Sequence, residues 1–358
     1  VPDVMKELAY IAWRVVLVVL LNASPTLAEN NEAPVDFPEA GSVAYHIQFR
    51  LLRGDTSGAL ALGRRSVAEA VPDLATLVAY LNALTTRLSW DDRYTALDDE
   101  IMETADRILV GCEALLLRDE DDALAHHFCG SSNLSLSYLH AVRGRYLRAI
   151  TTTTRAMTSH KRALELEPTL QGAKMNYGLL LYFTDNLPPF VRALGQVLWF
   201  IPRGNAVEGL ALVKETVLSD HIFGHGARYP YGDILTDQEN DHEAGLEQIM
   251  FLVERYPSNA RFYLRAIWAM EKIGRYDDIL TLVDRFRRSA NIPINHCDDQ
   301  GMTPLLALWR VRALTHMGRT RKARAELRLV LRCPDEPTWA ADTFDQTRVS
   351  LGLTALNS

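Results

Sequence analysis

The side chains best suited to chemistry in this sequence are its histidines and cysteines, and their spacing decides what they could do. His221 and His225 stand four residues apart. On a helix that spacing puts two imidazoles on one face, where a metal could bridge them. No glutamate follows His221 as a zinc hydrolase would need for its general base, and Gly224 interrupts the helix, so a packed or solvent-facing pair is expected. His126 and His127 are adjacent and diverge on a helix. His296-Cys297-Asp298-Asp299 gathers varied donors in a loop, but no second cluster at a suitable spacing completes four ligands. A Gly-x-Ser-x-Gly elbow, a phosphate-cradling glycine loop and a dinucleotide fingerprint are all missing from the sequence. Gly130-Ser131-Ser132 reads as a tight-packing place in the middle of a helix. The expectation is a chain that is not an enzyme and holds no metal and no cofactor.

Two further groups bear on binding and on compartment. Asn176, Tyr177 and Tyr182 are expected on one helix, with Arg228 and Tyr229 two hairpins later. Tyrosine and arginine combine apolar contact with directional donors, the mixture enriched at binding hot spots. These five residues are the candidate ligand or partner site, set against the plainer reading of core tyrosines with satisfied hydroxyls. The four cysteines are Cys112, Cys129, Cys297 and Cys333. Cys112 and Cys129 flank the acidic turn Arg118 to Asp122 at equal distance, and Cys297 and Cys333 bracket a later helix pair. Disulfides 112–129 and 297–333 are therefore expected, with four buried thiols as the alternative.

The elements that position these residues show themselves in a recurring pair: a glycine or asparagine, then a small or apolar residue five positions on. It occurs as Gly54 with Ala59, Gly144 with Ala149, Gly204 with Gly209, Asn240 with Gly245, Gly274 with Ile279 and Gly318 with Ala323. The first residue closes a helix in a left-handed conformation that Gly or Asn adopts cheaply. The second lets the next helix approach the one before it. Apolar stripes at helical spacing flank the turns, as in Phe262, Ala266, Ala269, Met270 and Ile273. Proline ends several second helices, at Pro72, Pro168, Pro257 and Pro334. Strand signals are poor, and about fifteen helices are expected. The longest breaks fall at Ser89 to Asp98 and Ala290 to Gly301.

These hairpins resemble tetratricopeptide (TPR) repeats, on the strength of the turn glycine, the small residue opening the second helix and the terminal proline. The resemblance spans roughly residues 37–72 and 121–335 and is strongest at 241–290, where Gly274 lies 34 residues after Asn240. It departs from the family in largely lacking the early Trp/Leu-Gly pair and in its irregular spacing elsewhere. Gly178-Leu-Leu-Leu-Tyr-Phe, Ile201-Pro-Arg-Gly and Glu208-Gly-Leu also look like a group of uncharacterised bacterial proteins with divergent TPRs. The resemblance implies an all-α, TPR-like α-solenoid, a right-handed superhelix of stacked antiparallel hairpins, and a binding scaffold in place of a catalyst. Hairpins that cannot bury their apolar faces alone must stack in any case.

Length and composition set the frame. With 358 residues and 48 % hydrophobic residues the chain can build a large core. A net charge of −7, with Arg and Lys scattered, argues against a nucleic-acid surface. Residues 1–28 read as a signal peptide, with Arg14, the apolar run Val15 to Leu21, Pro25 and small residues Thr26 and Ala28 before a cleavage after Ala28. The run is short of a bilayer span. A linker at 29–36 and a helical domain at 37–355 follow, irregular over 37–200, more regular over 201–335 and capped by a helix at 337–355. The apolar stretch Leu187 to Pro202 is read as a helix bridging two sets of repeats. An exported, periplasmic scaffold for a protein or peptide partner is thus expected, with no stable membrane span in the mature chain. The alternative is a small-molecule carrier or sensor with a pocket near residues 176–229.

Overall fold

Runs of residues with helical apolar spacing, punctuated by capping residues, account for the architecture of this chain. The structure, a computed structural model, is described over residues 37–69, 73–187, 203–219, 222–290 and 302–330. The expected leader and linker, most of the Leu187 to Pro202 segment, His221, the loop bearing His296 and Cys297, Cys333 and the C-terminal capping helix lie outside those residues.

Among the described residues there are fourteen helices and no strand. In chain order they are α1 (Val43–Leu52), α2 (Thr56–Glu69), α3 (Leu74–Leu88), α4 (Asp98–Leu116), α5 (Ala123–Val142), α6 (Tyr146–Leu166), α7 (Gln171–Asp185), α8 (Ala206–Val217), α9 (Ile222–Asp237), α10 (His242–Arg255), α11 (Ala260–Lys272), α12 (Tyr276–Ala290), α13 (Met302–His316) and α14 (Thr320–Leu327). The protein is all-α. Short polar side chains start several of these helices by accepting from an otherwise orphaned backbone N–H: Ser42 from Tyr45, Asp122 from Ala125, Asn205 from Glu208 and Asp241 from Ala244.

The recurring sequence pair marks the turns within α1–α2, α5–α6, α9–α10, α11–α12 and α13–α14, and its sixth instance, at Gly204, stands just before α8. Five of its six turn residues are left-handed, from φ 56° at Asn240 to 80° at Gly54. Gly204 differs. Its φ is not left-handed, and it is glycine because a Cβ there would lie 2.5 Å from the Leu181 carbonyl oxygen and run into the Asp185 backbone. Of the residues five positions on, Ala59, Ala149, Ile279 and Ala323 are buried side chains, and Gly209 and Gly245 are buried glycines.

The chain divides into two compact units at Tyr231 and Gly232, within α9. In the first unit each helix from α1 to α8 packs on its sequence neighbour, and α1 also touches α3, α3 touches α5 and α5 touches α7. Composition follows this placement. No acidic or basic residue other than histidine occurs in α5, and the helix is buried nearly all round. The second helices α4 and α6 bury one stripe and expose their charges. Specific ties then fix the pairs. Arg64 of α2 holds Glu100 of α4 with two bonds, 2.9 and 2.8 Å, while the Tyr80 hydroxyl of α3 donates to the same carboxylate. Those two donors hold the Glu100 pKa below the ordinary carboxylate range. Cys112 of α4 is disulfide-bonded to Cys129 of α5, with Cα atoms 5.7 Å apart, as the hairpin spacing predicts.

In the second unit α10 packs on α11, α12 on α13, and α11 on α13. Arg265 of α11 pairs with Asp233 and, at 3.2 Å, with Asp237, both on α9. Trp268 of α11 meets Trp309 of α13 edge to face, with centroids 6.0 Å apart.

Candidate functional site

The face made by the first helices of the first unit carries a cavity. Its polar lining comes from Gln48 on α1, Asn82 on α3, His127, Ser131 and Ser135 on α5, and Asn176 on α7. Its aromatic wall is Phe37, from the segment before α1, and Phe223, on α9, with ring centroids 6.1 Å apart. Every contributing helix is the first of its pair. The cavity comprises about 450 Å³ of space outside the protein atoms, part of it open to solvent, and its enclosed part is of water size.

Three of the lining side chains are more than nine-tenths buried and have polar atoms with no hydrogen-bond partner in the protein. They are Gln48 through Oε1, Asn176 through both Oδ1 and Nδ2, and His127 through Nδ1. Buried polar atoms are paired as a rule, so three such side chains lining one cavity leave a hydrogen-bonding demand that the protein does not meet. Burial lowers the His127 pKa to about 3, so its ring is neutral at physiological pH. Behind it lies His160 of α6, with ring centroids 5.3 Å apart, also fully buried and held well below the ordinary histidine range by burial and by His127. Gly130 makes room for this ring, since a Cβ there would sit 2.7 Å from His160 Cε1. Packing of this kind is what a glycine in the middle of α5 is for.

Among the described residues no carboxylate, thiol, lysine or arginine lines the cavity. A neutral imidazole and amides supply hydrogen bonds but no paired acid and base at neutral pH. Among the described residues no three His, Cys, Asp or Glu side chains are grouped to hold a metal, and no helix is long and apolar enough to cross a membrane. No protein-family profile matches this chain, and no curated protein matches it. The residues themselves therefore carry the functional argument.

Of the five residues singled out from sequence, Asn176 lines the cavity. Tyr177, the next residue on the helix, turns onto the cluster of Leu134, Ala156, Met157, Leu180 and Leu181. Burial, and the negative charges of Glu208 and Glu165, raise its pKa. Tyr182 is fully buried, its ring edge-on to Phe183 at 5.3 Å. Arg228 is half-buried and Tyr229 buried on α9, and neither lines the cavity. His225 is buried on the same helix, and its expected companion His221 lies outside the described residues. His126 Nε2 donates at 2.9 Å to the Glu120 carbonyl just before the helix, while His127 points to the cavity, so the adjacent pair does diverge.

Gln48 and Asn82 are not among the sequence candidates, and His127 enters the sequence reading only as half of a diverging histidine pair. A signal for them existed in the charge-poor α5 and in polar residues set inside apolar runs, such as Gln48 between Ile47 and Leu51. A helix without a charged face has no side to offer to water, so its polar side chains must meet protein or ligand.

Proposed function

We propose that this chain is a non-catalytic, exported scaffold, a TPR-like α-solenoid that binds a protein or peptide along the face formed by its first helices. The single observation behind this reading is what already occupies that face. Phe37 and Pro38, in an irregular segment before α1, pack against that face and line the cavity, with Phe37 on His127, Phe128 and Phe223. A surface that takes an irregular Phe-Pro segment of its own chain has the width and apolar character to take one from a partner. The contacts of α1 with α3, α3 with α5 and α5 with α7 support stacked hairpins and a shared inner face. The disulfide between Cys112 and Cys129 supports an oxidising compartment and so an exported protein.

The test is site-specific photo-cross-linking in the native cell envelope. A cross-linker at Ser131, on the first-helix face, should capture a partner. One at Val110, exposed on α4, should not. Capture at Val110 alone, or at neither position, overturns the scaffold reading.

A second reading is a small-molecule carrier or sensor with its pocket on the same face. The unpartnered amide of Asn176 and the neighbouring unpartnered atoms of Gln48 and His127 favour it specifically.

A further inference from the structure

We infer that the cavity between Gln48, His127 and Asn176 binds an uncharged small molecule presenting a hydrogen-bond donor and acceptor side by side, as a primary carboxamide or a vicinal diol does. This deepens the carrier reading and rests on it.

The donor and acceptor inventory sets the chemistry. Gln48 Oε1 is an acceptor and calls for a donor from the ligand. Asn176 offers an acceptor, Oδ1, beside a two-proton donor, Nδ2, and so calls for the complementary pair. His127 Nδ1 serves either way, according to its tautomer. A carboxylate has no proton to give Gln48 or Asn176 Oδ1. An ammonium has no lone pair for Asn176 Nδ2. A hydrocarbon answers none of the three. A carboxamide or a pair of vicinal hydroxyls answers all of them.

Charge points the same way. Among the described residues the cavity lining holds no ionised group to compensate a bound ion, so an ion entering it would lose its hydration without return. Phe37 and Phe223 give the ligand an apolar wall, which suits a molecule with a polar edge and a hydrocarbon body. The three unpartnered side chains come from α1, α5 and α7, far apart in sequence. No local turn or cap brings them together; the stacking of first helices does.

The experiment titrates full-length protein with acetamide and propane-1,2-diol by ligand-observed NMR, with acetate, methylammonium and benzene as controls. Native mass spectrometry of protein purified from its own cell envelope accompanies it. The expected result is saturable binding of the two neutral polar probes and none of the controls. Binding should weaken about ten-fold in Asn176→Leu and in Gln48→Met, the effect of removing one partner from a buried hydrogen bond. Gln48→Met keeps the side-chain length, so the comparison survives if Asn176→Leu fails to fold. Equal binding by the variants overturns the inference, as does binding of acetate, methylammonium or benzene at the same strength as the neutral probes. A charged or apolar molecule carried through purification also overturns it, while leaving the carrier reading in place. An empty protein that binds no probe, its cavity filled by ordered waters bonded to all three side chains, overturns both.

Discussion

Gly178 of α7 and Gly209 of α8 meet backbone to backbone: a Cβ on Gly178 would lie 2.8 Å from the Gly209 carbonyl oxygen, and a Cβ on Gly209 would come closer still to the Gly178 oxygen. Gly232 and Gly245 repeat the arrangement in the second unit, where a Cβ on Gly245 would lie 2.9 Å from the Gly232 carbonyl oxygen. The atoms in the way are backbone, which cannot rotate aside. Gly209→Ala is therefore expected to cost about 3 kcal/mol in urea unfolding, at the upper end of overpacking effects. Gly144 is glycine for another reason, a φ of 69° with nothing within 4 Å of an added Cβ. Gly144→Ala should cost only about 1–2 kcal/mol, and Gly144→Asn less. Equal costs at the two sites would contradict the distinction.

That distinction also shows how far the sequence could be read. The turn residues were legible because left-handed backbone has a short list of tolerated residues, and Gly54, Gly144, Asn240, Gly274 and Gly318 all adopt it. Gly204 has the same letter and spacing but answers to a close approach by α7, which no local rule encodes. The 112–129 disulfide was legible because a hairpin brings equidistant residues together. The cavity was legible only through Asn176. Gln48 and His127 become site residues by the stacking of α1 on α3 and α3 on α5, a tertiary relationship between segments some eighty residues apart. Tyr177 shows the converse. Its residue type suits a binding site, but one position along a helix turns a side chain by about 100°, and here that step takes it from the cavity to the packed cluster around Met157.

The disulfide should be worth about 3 kcal/mol, from the chain entropy of closing a loop with a sequence separation of 17. Reduction, or replacement of Cys112 and Cys129 together by alanine, should lower the urea midpoint accordingly while leaving the helical circular dichroism unchanged at zero urea. A peptide map of the non-reduced protein should recover the two cysteines in one linked peptide. Separate peptides would contradict the assignment.

Arg143 pins the longest described connection of the first unit. It donates to both Asp98 carboxylate oxygens, at 2.7 and 2.8 Å, to the Tyr94 carbonyl at 2.7 Å and to the Asp92 carbonyl. The planar guanidinium reaches all four acceptors at once, which an ammonium cannot. With both partners mostly buried, Arg143→Met should cost about 2 kcal/mol or more and expose residues 89–97. Hydrogen exchange by mass spectrometry should show faster exchange there and little change in α7. Arg143→Lys should resemble Arg143→Met more than the wild type. Unchanged exchange over 89–97 in both variants would mean the connection is held by its own turns.

Acid should destabilise this protein through its buried histidines. In the folded chain His127 stays neutral down to about pH 3, and His160 is held well below 6.5 as well. Once unfolded, both rings take up a proton near pH 6.5. Between those limits the unfolded state binds more protons than the folded one, so stability falls as pH falls, from about 6.5 downward. Each fully buried ring contributes up to about 1.4 kcal/mol per pH unit over that window. His140, whose pKa is lowered by burial and by Arg145 and Arg148, adds in the same direction. His160→Leu isolates one ring. Neither nitrogen of His160 has a hydrogen-bond partner, so leucine removes a buried polar cost without breaking a bond. The variant should match or exceed wild-type stability at pH 7.5. In urea unfolding at a series of pH values it should also lose distinctly less between pH 6.5 and 4.5. A variant whose stability falls with pH as steeply as the wild type's would show that His160 takes up its proton equally in both states.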